Sequence, residues 1–218
     1  MNRIFSPDGL LWKILNVITD VFALSLLWLF CCLPIITIGP ATTALYDSVT
    51  HGIRYQETGP YSRFFRTFKA DLKISISTTL LWIFLVGIGF FSLSYLKALS
   101  DDSRVAAIAY AVYYILMLFP LGCACWVFPI LSRFTYSFKD LNLTALRISI
   151  GYLPRTVIIV LLTVQLLQLC VNYIFPSFFI PACMMLLWGL FIEPVFTKLG
   201  GGLGKQASQE EEPAAEEE

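Results

Sequence analysis

Two sets of polar side chains occur inside long apolar runs of this 218-residue chain, and each set has a spacing that places its members on one helix face. The first set is Asn16, Thr19 and Asp20, and the second is Gln165, Gln168 and Asn172. Such groups either hydrogen-bond one helix to another or line an outward-facing polar pocket for a sugar or an ion, and the sequence leaves both interpretations open. In either case we expect Asp20 to face the bundle interior near Gln168 or Asn172, because a lipid-facing carboxylate costs about 2.5–3.5 kcal/mol.

A further carboxylate, Glu193, lies at the end of an apolar run, directly before Pro194. We predict that it forms an ion pair with Arg155 or Arg147 and takes no part in chemistry, since a carboxylate near the end of a membrane helix is stabilised by a nearby cation.

The segment from Tyr61 to Lys73 is the clearest amphipathic pattern in the chain. Its apolar positions are Tyr61, Phe64, Phe65, Phe68 and Leu72, and its cations are Arg63, Arg66, Lys69 and Lys73, mostly on the other side. Aromatic and basic faces on one helix are typical of a segment that lies on an anionic membrane leaflet. The sequence therefore predicts a basic face directed at the inner leaflet.

The sequence contains few of the residue patterns that catalysis requires. The six cysteines all lie in apolar runs without a CxxC spacing, and His51 is the single histidine. No phosphate-binding loop is present, because "GPATT" lacks the lysine, and no serine occupies a nucleophile elbow. We predict a protein that is not an enzyme, with no catalytic residue, no metal site and no cofactor.

The composition indicates the elements that must position these residues. Hydrophobic residues make up 57% of the chain and charged residues 14%, which is more apolar side chain than a soluble domain of this length can bury. A helix needs about 20 apolar residues to cross a bilayer, and the charge-free runs supply five such segments. The prediction is an all-α, polytopic bundle over residues 1–198 with interfacial helices and spans at about 14–37, 74–96, 105–131, 156–174 and 177–196. We predict that residues 199–218 form a flexible acidic tail.

The distribution of lysine and arginine predicts the orientation of these spans. With five spans, eleven cations lie on one side of the membrane and four on the other. The side with eleven comprises residues 38–73, 132–155 and the C-terminus. Since cytoplasmic loops carry the excess of cations, we expect the N-terminus outside the cell and the C-terminus in the cytoplasm.

The stretch "CCLPIITIGPATTALYD" follows the first apolar run. Pro34 and the Gly39-Pro40 pair end a helix, and Pro40 suits the first turn of a new one in which Leu45, Val49 and Ile53 share a face. We expect the chain to leave the bilayer near residue 38 and to continue as a cytoplasmic or interfacial helix. A re-entrant dip into the membrane is the alternative.

Two stretches of the sequence resemble those of a known family. The opening "MNRIFSPDGLLWKILNVITDVFALSLLWLFCCLPIITIGPATTALY" and the later "SFKDLNLTALRISIGYLPRTV" are similar to the YesL-like bacterial membrane proteins, a family without an assigned function. The likeness spans roughly residues 1–198. It implies a place in the bacterial cytoplasmic membrane and an association with carbohydrate ABC importers, and it supplies no site residues.

From this resemblance we expect a non-catalytic accessory or assembly subunit for carbohydrate import, with the lipid bilayer and importer subunits as partners and no role for nucleic acid. A small stand-alone transporter for a sugar or related solute is the alternative. Against it, the chain lacks an obvious inverted repeat.

Overall fold

The computed structural model describes residues 10–55, 59–100, 104–173 and 175–200, and within these ranges it is built from helices without a strand. This confirms the predicted all-α class. The α-helices are α1 (Leu10–Cys31), α2 (Ile38–Ser48), α3 (Pro60–Ala70), α4 (Leu72–Ser100), α5 (Arg104–Leu131), α6 (Phe138–Gly151), α7 (Leu153–Asn172) and α8 (Ile180–Gly200). The acidic tail lies outside the described residues from 201 onward.

Among the described residues, four helices are long and apolar enough to cross a membrane. These segments are Leu72–Leu99, Arg104–Leu131, Leu153–Cys170 and Ile180–Lys198, in α4, α5, α7 and α8. The apolar part of α1 for which side chains are described, Leu15–Cys31, is shorter. The architecture is therefore that of a helical membrane protein, and the fifth span remains a prediction.

The helix α1 ends earlier than the predicted boundary at residue 37. It stops at Cys31, and one 3₁₀ turn, Ile35–Thr37, leads into α2. Pro34 has an extended backbone and cannot donate to the α1 ladder, so the helix ends before it. The Thr37 hydroxyl donates to the Cys31 carbonyl at 2.5 Å, which satisfies one of the acceptors freed at the helix end.

The short helix α2 lies at the centre of the protein. Every residue from Gly39 to Ser48 is buried, and α2 packs against α1, α3, α4, α5 and α8. Protein therefore surrounds this helix on all sides, and its predicted cytoplasmic or interfacial position relative to the bilayer stays a prediction. Burial is possible because Thr42 and Thr43 donate to the carbonyls of Ile38 and Gly39 in their own helix.

Backbone contact between α2 and α4 requires a glycine. A Cβ atom at Gly39 would overlap Thr79 Oγ1 and would lie 2.9 Å from Phe128 Cε1 and 3.1 Å from the Ser75 carbonyl oxygen. Small residues at such crossings let membrane helices approach closely and gain packing energy. Gly39 thus fixes how deeply α2 lies in the bundle.

Tryptophan side chains tie the longer helices together through buried hydroxyls. Trp126 of α5 donates to Thr156 Oγ1 of α7 at 2.9 Å, and Trp188 of α8 donates to Thr163 Oγ1 of α7 at 3.1 Å. Threonine hydroxyls both accept these bonds and donate to backbone carbonyls. The polar side of α7 that faces the bundle is therefore satisfied inside the chain.

We predict that Gly39→Ala destabilises the fold by about 1–3 kcal/mol, because the added methyl group meets the buried Thr79 side chain and the Ser75 backbone. The measurement is thermal unfolding in detergent micelles. Gly87→Ala is the matched control, since a Cβ atom there meets nothing within 4 Å. Equal melting temperatures for the two variants would contradict the close packing of α2 on α4.

Candidate functional site

The first of two buried polar networks that the described residues form around carboxylates surrounds Glu193 on α8. It accepts hydrogen bonds from the Tyr46 hydroxyl at 3.2 Å, the Tyr55 hydroxyl at 3.0 Å and Arg133 Nη2 at 2.6 Å. These donors come from α2, from the end of the π-helical turn Val49–Arg54 that continues α2, and from the chain just after α5. We call these four residues the Glu193 network, and they join three separate parts of the chain.

The charges of this network are balanced inside it. Burial lowers the pKa of Arg133, but the charge and hydrogen bond of Glu193 outweigh this effect and raise the pKa above its ordinary value. The guanidinium also lies 5.9 Å from the centroid of the Tyr55 ring, within cation–π distance. Arg133 therefore stays charged and pairs with Glu193 as a buried ion pair.

The predicted partner of Glu193 was wrong. Arg155 lies over the Tyr152 ring at 5.7 Å, and its Nη1 atom is buried without a hydrogen-bond partner. The end of α5 lies beside α8 instead, where Phe134 and Phe196 make an edge contact at 5.7 Å. Packing of these rings brings Arg133 to the carboxylate.

The second network surrounds Asp47, the residue that follows Tyr46 on α2. Its carboxylate accepts from Arg63 Nε at 2.9 Å and from Thr67 Oγ1 at 2.7 Å, and His51 Nε2 lies 3.6 Å from its other oxygen. Arg63 and Thr67 are one turn apart on α3. These contacts, which we call the Asp47 network, therefore hold α3 against the buried helix α2.

The Asp47 network changes the interpretation of the predicted basic face. Arg63 turns inward to Asp47, so only Arg66, Lys69 and Lys73 of the four cations are exposed. The aromatic side of α3 is largely occupied as well, since Phe64 is fully buried and Phe68 packs against the core. The amphipathic pattern was correct, but protein covers much of the apolar side that was assigned to lipid.

One carboxyl group near this network has no hydrogen bond of its own within the described chain. Burial and the negative charge of Asp47 raise the pKa of Asp71 from its ordinary value of 3.8 to about 6. Asp71 follows α3 directly and precedes the apolar segment of α4. Its ionised form therefore destabilises the folded state at neutral pH.

The two sets of polar residues predicted to meet in the bundle do not do so. Asp20 accepts a hydrogen bond from the Tyr61 hydroxyl of α3 at 2.6 Å, so the expected proximity to Gln168 or Asn172 is wrong. Asn16 and Thr19 are exposed on α1, and Thr19 donates to the Leu15 carbonyl. Gln165, Gln168 and Asn172 are exposed on α7. The reason is that α7 meets α5 and α8 through its threonine side, which leaves the amides facing outward.

Sequence reasoning missed most of the Glu193 and Asp47 networks. Asp47 is the first charge after a 26-residue charge-free run that ends at Tyr46, and Arg133 closes the charge-free run of α5. A charge that directly follows apolar sequence was the available signal. It could not identify partners, because the pairing residues are separated by up to 147 positions.

This arrangement holds helices together. The buried carboxylates among the described residues, Asp47 and Glu193, are each engaged by donors of the protein itself. Over the same residues, no group of three His, Cys, Asp or Glu side chains is placed to hold a metal ion. A groove of about 480 Å³ between α4 and α5 is lined mainly by apolar side chains such as Phe84, Ile88 and Leu116.

Residues 21–95 match a family described as "Protein of unknown function, DUF624". This range runs from α1 through most of α4 and includes the whole Asp47 network together with Tyr46 and Tyr55 of the Glu193 network. No curated protein and no solved structure matches the chain significantly. The comparison therefore places the buried helix α2 within a recurring sequence unit and assigns it no activity.

We predict that Glu193→Gln lowers the unfolding free energy by about 3 kcal/mol, because it leaves the largely buried Arg133 charge without its counter-charge. The double variant Glu193→Leu with Arg133→Leu should recover most of this loss. Thermal unfolding in one detergent compares the variants. Arg155→Gln is the control and should have little effect, whereas a loss as large as that of Glu193→Gln would indicate that the ion pair is misassigned.

The raised pKa of Asp71 makes the stability of the folded state depend on pH. Because its folded pKa is raised to about 6, the folded state binds the proton more tightly than the unfolded state, and stability from this group increases as pH falls from about 6 to about 4. Asp71→Asn should therefore raise the melting temperature at pH 7.5, with a smaller gain at pH 4.5. The control is Asp140→Asn at an exposed position, which should not raise the melting temperature at pH 7.5. An Asp71 variant that melts no higher than wild type at pH 7.5 would refute this prediction.

Proposed function

We propose that this chain is a non-catalytic integral membrane subunit that supports the assembly or operation of a carbohydrate ABC importer in the bacterial cytoplasmic membrane. The resemblance to the YesL-like proteins supplies the importer and the carbohydrate. The proposal includes five spans, with the N-terminus outside and the C-terminus in the cytoplasm, as the lysine and arginine distribution predicts.

The observation that carries the non-catalytic part is the state of the buried carboxylates. General acid–base and nucleophilic catalysis need a group whose proton or lone pair is available to a substrate. Glu193 has three donors from the protein, and Asp47 has two hydrogen-bond donors and a nearby histidine. Both are thus used to hold α2, α3 and α8 together, as expected of a scaffold.

Two surfaces are suited to partners. The first comprises the exposed cations Arg66 and Lys69 of α3 and Lys73 at the start of α4, which fit an acidic protein surface or anionic headgroups. The second is the α4–α5 hairpin, where the stretch "AAIAYAVYY" on α5 exposes Ile108, Val112 and other apolar side chains. A membrane subunit that binds another helical protein needs such uncommitted helix faces.

The test is affinity purification of the tagged full-length protein from its native membrane, with the co-purifying proteins identified by mass spectrometry. We expect the membrane subunits of a carbohydrate importer, and we expect deletion of the gene to impair growth on one oligosaccharide but not on glucose. Charge reversal at Arg66 and Lys69 should weaken recovery of the importer. Reversal at Lys139 and Arg147, which are exposed cations on α6, is the matched control.

Two results would contradict the proposed accessory subunit. If the purified protein alone, reconstituted in liposomes, moves a sugar at a substantial rate, a stand-alone transporter replaces the proposed accessory subunit. Recovery of the chain without any importer component, from cells grown on the relevant oligosaccharide, would also contradict the proposal.

A further inference from the structure

Three side-chain amides on α7 are exposed and make no hydrogen bond within the described part of the chain. They belong to Gln165, Gln168 and Asn172. Gln165 and Gln168 lie inside the apolar segment Leu153–Cys170, which is long enough to span the membrane. Hydrocarbon offers an amide neither a donor nor an acceptor, so these groups need a partner from outside this chain.

Hydroxyl groups exposed on other spans do not have this requirement. Ser92 and Ser94 of α4 donate to the carbonyls of Ile88 and Phe90 at 3.0 Å. Short hydroxyl side chains can satisfy themselves on the preceding turn of their own helix. The glutamines of α7 make no such bond, and this difference distinguishes their surface from the rest of the membrane-facing area.

The amides lie on the side of α7 opposite to its packed face. The packed face is formed by Thr156, Ile159, Val160 and Thr163, all buried. At the 100° rotation per residue of an α-helix, the amides are centred about 160° away. Neighbouring helices of the same chain are therefore on the wrong side to reach them.

The exposed side of α7 carries a regular repeat. Its members are Ile158, Leu161, Gln165, Gln168 and Asn172, all exposed. Their spacings alternate between three and four residues, which is the 3.5-residue period of a helix seam that packs against a second helix. Apolar residues occupy one half of this α7 seam and amides the other half.

We propose that the α7 seam binds the same seam of a second copy of this chain, which forms a homodimer in the membrane. Two copies inserted with the same topology are related by a two-fold axis along the membrane normal, so their α7 helices run parallel and each seam residue meets its own counterpart. An amide is both a donor and an acceptor, and two glutamines at one level satisfy each other. A second copy is thus the occupant that complements every position of the seam.

Paired amides in a parallel seam also fix the register of the two helices. A shift along the helix would place an amide opposite Leu161 or Ile158 and leave it unsatisfied, as polar seam positions do in coiled coils. This inference goes beyond the proposed importer association and does not depend on it, since the surfaces named there lie on α3, α4 and α5.

The test uses the full-length protein in lipid vesicles, with dimerisation measured by energy transfer between labelled copies as the protein is diluted in lipid. We expect a dimer, and we expect Gln165→Leu with Gln168→Leu to weaken dimerisation about tenfold, the size of effect that inter-helix hydrogen bonds produce in membranes. The control Ser92→Ala with Ser94→Ala removes exposed hydroxyls from another span and should leave dimerisation unchanged. At a dilution where both proteins are monomeric, the melting temperature of the glutamine variant should not fall, because the amides make no bond within the described chain.

Cross-linking provides the positional evidence. In a background without the native cysteines, Gln168→Cys should form an intermolecular disulfide readily, whereas Leu167→Cys, also exposed but about 100° away around the helix, should not. A wild-type protein that is monomeric at every dilution, equal dimerisation of the wild type and the glutamine variant, or equal cross-linking at positions 167 and 168 would each overturn the α7 dimer.

Discussion

Burial of charge beside the helix α2 is the constraint on which the rest of the structure depends. Charged side chains are stable away from water only when they are paired and hydrogen-bonded. Tyr46 and Asp47 are consecutive residues of α2, and they contact two different networks, one with Glu193 and Arg133 and one with Arg63 and Thr67. Because these partners come from α8, α3 and the chain after α5, satisfying the two carboxylates fixes the positions of three other parts of the chain.

This constraint explains how polar side chains are accommodated at the centre of an apolar bundle. Glu193 accepts hydrogen bonds from three protein donors and Asp47 from two, and the threonines of α2 donate to their own backbone. The exposed groups lie outside: two cations of α3 and one at the start of α4, the apolar α4–α5 hairpin and the amides of α7. The buried polar groups are thus engaged within the protein, and the groups without a partner in the described chain lie on its outer surface.

The sequence predicted the helices well because the length of an apolar run is a local property set by the thickness of the bilayer. It also placed Gln165, Gln168 and Asn172 on one face, since helical periodicity is local as well. It could not predict which way that face points, and so it joined these residues to Asp20, whereas Tyr61 is the observed partner. For the same reason it paired Glu193 with Arg155. Arg155 and Arg133 both lie at the ends of predicted spans. The packing of Phe134 on Phe196 places Arg133, and not Arg155, beside Glu193.

The central claim is that the two networks hold α2 inside the protein, and hydrogen–deuterium exchange of the full-length chain tests it most directly. In the wild type, the backbone amides of residues 38–54 should exchange as slowly as those of the packed part of α5, although this segment carries several polar side chains and lies outside the long apolar spans. In Glu193→Gln, faster exchange should appear in residues 38–54, in α3 and in the second half of α8, while the α4–α5 hairpin keeps its protection. Exchange of α2 in the wild type at the rate of an exposed surface helix, or an equal loss of protection throughout the variant, would contradict the account.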